Sequence, residues 1–94
     1  MKFEIVFSDA AHETFTAIQS QILDKWGKKS VIKFEKRVLK ILEIISVSPF
    51  IYEAANINVN VRKASVHKNC SCFYKIGETS ITVLFFWDNR QEPM

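Results

Sequence analysis

The side chains able to do chemistry gather in the last third of the chain. From Ile57 to Arg90, Arg62, Lys63, Lys68, Lys75 and Arg90 stand against only Glu78 and Asp88, whereas eight basic and seven acidic residues nearly cancel between Met1 and Asn56. A local excess of cations fits an anionic partner, either a nucleic acid or an acidic protein segment. Arg62 interrupts a valine-rich stretch, a costly placement unless it is paired or turned to an open face. Lys68 can hold a phosphate, and His67 beside it can exchange a proton near neutral pH or serve simply as a turn residue. Tyr74 reads as core or sheet surface. Asp88 and Arg90, two apart at the end of a strand-like run, point the same way and can pair with each other or with Arg62. Lys63 and Lys75 can discourage edge pairing, and His12 reads as surface.

No metal or cofactor is expected. Cys70 and Cys72 form a lone C-x-C with no second Cys/His pair at zinc-ligand spacing, and in a strand they are neighbours on one face rather than a bridged pair. They are expected reduced and buried. No stretch approaches the roughly 20 apolar residues that span a bilayer. The opening MKFEIVFSD has Glu4 and Asp9 flanking an apolar run too short for a signal peptide, so the protein is expected in the cytoplasm, with no membrane partner. Ninety-four residues, 48% apolar and poor in Gly and Pro, are expected to make one domain over 1–94 with a core that needs no staples.

The elements that must position these residues follow from periodicity. KFEIVF alternates Phe3, Ile5 and Phe7 with Lys2, Glu4 and Val6, the period of a strand. Ser8 offers an N-cap, and Asp9 and Glu13 put negative charge near a helix start. Ala11, Phe15, Ile18, Ile22 and Trp26 then form one apolar stripe that ends at Gly27. Ser30 is expected to cap a second helix, with Val31, Phe34, Val38, Ile41, Leu42 and Ile45 on one side and an end near Val47, before Pro49. So short a link makes the helices an antiparallel hairpin.

The segment from Pro49 to Asn56 reads as a loop. Three strands follow, carried by Ile57, Val59 and Val61, by Cys70, Cys72, Tyr74 and Ile76, and by Ile81, Val83, Phe85 and Trp87. Reversals fall at His67 to Asn69 and at Gly77 to Ser80, with Gly77 expected to take a positive φ. The fold class is therefore α+β, ordered β-α-α-β-β-β with the last three strands antiparallel, the helical hairpin covering one sheet face.

Three segments carry a family resemblance: the opening strand leading through FSDAA into the hairpin, VRKASVHKNCSCFYKI, and the closing ITVLFFWDNRQEP. Over essentially its whole length the chain resembles the RelE/ParE superfamily of toxins from bacterial type II toxin–antitoxin (plasmid stabilisation) modules, and its Asp-x-Arg-Gln-x-Pro ending resembles the ParE-like branch. The resemblance implies a growth-inhibiting toxin held inactive by a cognate antitoxin whose flexible segment wraps it. ParE-like members inhibit DNA gyrase; RelE-like members cut mRNA on the ribosome.

Cleavage through the 2′-hydroxyl needs a base, cations for the phosphorane and an acid for the leaving oxygen. On the RelE pattern, Arg62 and Arg90 match basic positions, Lys68 and His67 are substitutes, Ser71 stands where an arginine is usual, and no Tyr or His follows Arg90. A binding role draws instead on Arg62, Lys68, Tyr74, Asp88 and Arg90. The reading that follows is a toxin that binds and inhibits an essential target such as gyrase. The alternatives are a ribonuclease with a rearranged site and a decayed toxin that only binds its antitoxin.

Overall fold

A computed structural model describes residues 2–56 and 58–90; Met1, Ile57 and Gln91 to Met94 lie outside the described residues, and with them part of the closing Asp-x-Arg-Gln-x-Pro sequence. The elements are β1 (Glu4–Phe7), α1 (Asp9–Trp26), α2 (Lys28–Val47), β2 (Glu53–Ala54), β3 (Val61–His67), β4 (Cys70–Ile76) and β5 (Ser80–Asp88). The class is α+β, as the periodicity implies. The five strands form one sheet in the order β1-β5-β4-β3-β2.

The turn chemistry explains where the helices start and stop. The Ser8 hydroxyl accepts from the Ala11 backbone N–H at 3.0 Å and so caps α1. Gly27 alone separates the helices, and its φ of 87° is a conformation that favours glycine. Here two expectations are corrected. Ser30 is not a cap: α2 starts at Lys28, and the Ser30 hydroxyl donates back to the Trp26 carbonyl at 3.5 Å. Gly77 has no positive φ, because the β4–β5 connection closes instead through the Gly77 N–H to the Ser80 carbonyl at 2.8 Å.

The strand assignments are corrected in two places. The segment expected to be all loop contains β2, which pairs antiparallel with β3 through Glu53↔Lys63 and Ala54↔Arg62. The first of the three expected strands begins at Val61 rather than Ile57; Asn58 to Asn60 form a turn in which the Asn58 side chain accepts from the Asn60 N–H at 2.8 Å, leaving Val59 64% exposed. The sheet is mixed, because β1 lies parallel to β5, with Ile5 opposite Ile81 and Phe7 opposite Val83.

A bulge also rephases β5. Phe73 pairs with Phe85 but Tyr74 pairs with Val83, so Leu84 is the extra residue. Ile81, Val83 and Phe86 therefore join the core under the helices, while Phe85 stacks on Phe73 outside that core at 4.8 Å between ring centroids. Beyond Val83, β1 has ended, and α1 takes its place as hydrogen-bonding partner: the Ser8 hydroxyl donates to the Leu84 carbonyl at 2.7 Å and the Phe86 N–H donates to the Thr14 hydroxyl at 2.9 Å.

The core joins Ala11 and Ile18 of α1 and Phe34, Val38 and Ile45 of α2 to Ala64, Val66, Cys72, Tyr74, Ile81 and Phe86 of the sheet. Trp26 departs from the expected stripe: it is 68% exposed. The Gln19 amide donates to the Glu35 carboxylate at 2.7 Å and ties the two helices together.

Candidate functional site

β3 carries Arg62 at its start and delivers His67 and Lys68 at its end. Arg62 and Lys68 are six positions apart, at opposite ends of β3, a span of about 20 Å for extended backbone. The expected candidate set is thereby split into two places.

At the Arg62 end the groups are occupied by structure. Arg62 Nε donates to the Val59 carbonyl at 2.9 Å, and Nη1 donates to the Tyr52 carbonyl at 2.9 Å and the Phe50 carbonyl at 3.5 Å. Its guanidinium carbon lies 5.1 Å from the Phe50 ring centroid, within cation–π range. Tyr74, directly opposite Arg62 in the ladder, is fully buried and donates its hydroxyl to the Pro49 carbonyl at 2.6 Å. Burial pushes its pKa up, against the opposing pull of Arg62. Together Arg62 and Tyr74 clasp the loop between α2 and β3.

At the opposite end the groups open onto a cavity of about 430 Å³ between the helical hairpin and the β3–β4 turn. Ile18 and Ile22 of α1 and Phe34 of α2 supply an apolar floor, with Trp26 at the rim. Lys33 and Arg37, one turn apart on α2, reach it from one side, and His67, Lys68, Asp88 and Arg90 from the other. The Arg90 guanidinium grips Asp88 in a fork, Nε to Oδ1 at 3.0 Å and Nη2 to Oδ2 at 2.8 Å, while the Arg90 backbone N–H donates to Oδ1 at 2.9 Å. Those side-chain bonds hold the Asp88 carboxyl below its ordinary range. Among the described residues Arg37, Lys33 and Lys68 form no ion pair.

His67 is shaped by this company. Its pKa is lowered from 6.5, first by burial and then by the charges of Arg37, Lys68 and Arg90. The Asn69 N–H donates to His67 Nδ1 at 3.2 Å, which puts the proton of the neutral ring on Nε2. In this state the ring is a hydrogen-bond donor into its surroundings, and its basic nitrogen is already engaged.

Ser71 is 1% exposed and bonds with Asn89, whose Nδ2 donates to Ser71 Oγ at 3.0 Å. The position at which an arginine was sought is thus a buried polar clasp between β4 and the residues after β5. Cys70 and Cys72 are free and buried, and burial pushes both thiols up to about 12, which leaves them inert. His12 is exposed, its ring 5.2 Å from that of Phe7. Lys75 is exposed on β4 and Lys63 half-buried on β3, at the far end from the cavity.

Sequence reasoning missed Lys33, Arg37 and the rim position of Trp26. One signal was present: between Lys28 and Lys40, α2 carries Lys28, Lys29, Lys33, Lys36, Arg37 and Lys40 against Glu35 alone, more positive charge than a balanced solvated face needs.

Neither a family model nor a curated protein matches the sequence. Solved structures do. The chain is similar to a chain of the chromosomal ParDE TA system from P. aeruginosa, with a TM-score of 0.76 at 12% identity over 93% of this chain and 96% of that one. It is similar to the E. coli DinJ-YafQ toxin-antitoxin complex, at 0.71 and 8% identity over 98% of each chain. A third likeness is to the YoeB dimer from Staphylococcus aureus, at 0.66 and 13% identity over 93% of this chain and 97% of that one. The fold is that of the RelE/ParE-like toxins. At these identities the likeness is one of architecture, and function rests on the site. No helix among the described residues is long and apolar enough to cross a membrane.

Proposed function

We propose that the chain is the toxin of a bacterial type II toxin–antitoxin pair of the ParE-like branch, working in the cytoplasm by binding and inhibiting an essential target such as DNA gyrase. The fold shared along almost the whole length with the ParDE and DinJ-YafQ structures supports a toxin with an antitoxin partner. The observation that favours binding over cleavage is the division of the candidate nuclease set. Arg62 is committed to loop carbonyls at the start of β3, whereas His67 and Lys68 lie at its other end beside the cavity that Arg90 also lines, so these groups are not gathered on one scissile phosphate.

Expression alone should arrest growth, and co-expression with the adjacent open reading frame should relieve it; harmless expression of the isolated chain supports a decayed toxin instead. Purified protein should inhibit gyrase supercoiling without producing new mRNA ends in a translation extract.

One observation favours a second reading, a ribosome-dependent ribonuclease with a relocated site. A neutral imidazole amid Arg37, Lys68 and Arg90 has the makings of an acid and charge-stabilising group for a phosphodiester. Codon-phased mRNA cuts that disappear in His67→Ala would establish that reading and end the gyrase one.

A further inference from the structure

α2 is apolar on two sides. Phe34, Val38 and Ile45 are buried in the core, while Ile32, Leu39 and Val47 on the opposite side are each more than half exposed. Lys29, Ile32, Lys36, Leu39, Glu43 and Val47 follow one another at spacings of three or four, so they form one exposed stripe about 27 Å long. Leu23 of α1 borders it, lining a groove with Val31 and Ile32, and Phe50 and Ile51, also more than half exposed, follow shortly after Val47. Cations crowd the same helix: six of the chain's thirteen Lys and Arg fall between Lys28 and Lys40. Lys33 and Arg37 line the cavity already described. Lys29, Lys36 and Lys40 lie outside it, exposed and without an ion pair among the described residues.

We propose that the outward side of α2 docks on an anionic lipid surface, Ile32, Leu39 and Val47 entering the boundary between headgroups and acyl chains and Lys29, Lys36 and Lys40 meeting the headgroups. Exposed apolar side chains interleaved with lysines along one helix face are the pattern of a helix lying in the membrane interface. Long lysine stems let the ammonium groups stay among headgroups while the apolar residues between them sink deeper. A protein helix would have to match each cation and each apolar residue in register over some 27 Å, whereas a lipid surface offers negative charge and hydrocarbon at every point. The charge balance also favours it over a second copy of this chain, because two such helices bring like charges together. Glu43 is the stripe's single carboxylate; Glu35, nearby on α2, is engaged by Gln19. The expectation of no membrane partner rested on the lack of a spanning segment, and peripheral docking needs none. The inference stands apart from the toxin reading, since it needs no antitoxin, gyrase or ribosome.

The test is co-sedimentation of the intact chain with vesicles of phosphatidylcholine alone and of phosphatidylcholine with about a quarter phosphatidylglycerol. The anionic vesicles should bind at least about tenfold more tightly, and less so as salt rises. Lys36→Gln and Lys40→Gln should each weaken that binding about fivefold, while Lys75→Gln, on β4, should change it less than about twofold. Leu39→Ser should weaken it about tenfold or more, because the side chain that enters the interface is lost. Glu43→Gln should tighten it by up to about fivefold. All five side chains are exposed, so thermal unfolding of the variants should match that of the parent chain.

Failure to bind anionic vesicles overturns the proposal. So does binding that Leu39→Ser leaves intact, or that Lys75→Gln weakens as much as Lys36→Gln, since either marks adsorption of a basic protein without a docking face. Sedimentation velocity without lipid supplies the remaining arm: a dimer lost in Leu39→Ser, with no vesicle binding, assigns the stripe to a second copy instead.

Discussion

The two ends of β3 carry similar side chains and put them to opposite uses. At one end Arg62 has three backbone carbonyls and an aromatic face around it, and its charge is spent on holding the loop before β3. At the other, Lys68 and Arg37 face a cavity without a partner of opposite sign among the described residues, and His67 loses basicity in consequence. A cation whose donors are consumed by backbone carbonyls is a structural part. A cation left unmatched beside a cavity is stored attraction for a ligand.

Several substitutions can break or sharpen this contrast. The largest effect is expected at the clasp: Tyr74→Ala should cost about 3–5 kcal/mol, as for other buried aromatic truncations, measured by denaturant unfolding. Tyr74→Phe keeps the ring but strips the Pro49 carbonyl of its donor, at about 1–3 kcal/mol. Arg62→Ala should cost about 1.5–3 kcal/mol, and Arg62→Lys should recover only part, because one ammonium cannot span the Val59 and Tyr52 carbonyls as the guanidinium does. If Arg62→Ala instead leaves stability intact and abolishes toxicity, Arg62 belongs to a functional surface and the contrast fails.

At the cavity end the signs reverse. Arg37→Ala and Lys68→Ala should change stability by less than about 0.5 kcal/mol, since neither has a partner to lose. Stabilisation beyond that, through relief of repulsion, would strengthen the contrast; marked destabilisation would erase it. A smaller effect concerns pH. Because His67 has a lower pKa in the folded state than its ordinary 6.5, the unfolded chain takes up the proton first on acidification. Stability should therefore decline as pH falls through about 6.5 and level off once the folded ring is also protonated. Arg37→Ala should shrink that decline and move the His67 titration, read by NMR, towards 6.5.

The Asp88 carboxyl gives the companion case at lower pH. Arg90 holds it below its ordinary 3.8, so its contribution is present above that value and lost as pH falls through the folded-state pKa. Asp88→Asn should flatten acid unfolding in that range.

Much of the architecture was open to inference from the chain alone. The Ser8 cap, the Gly27 break, the α2 end near Val47 and the antiparallel pairing of β3, β4 and β5 all depend on local spacing or on backbone rules that act within a few residues. So did the reduced, buried state of Cys70 and Cys72 and the pairing of Asp88 with Arg90. What failed locally was the start of β3. Ile57, Val59 and Val61 alternate as a strand should, yet the Asn58 side chain stabilises a turn that competes with that periodicity.

The rest belonged to the tertiary structure, because it depends on which distant segments meet. The parallel pairing of β1 with β5 joins residues more than seventy positions apart, and the bulge at Leu84 takes its place where α1 hydroxyls stand in for a missing strand. The candidate site was divided for the same reason. Sequence identified Arg62, Lys68 and Arg90 as cations worth explaining, but charge type carries no address. Only the fold set Arg62 among carbonyls and brought Arg37 of α2 to Lys68 and Arg90 around one cavity.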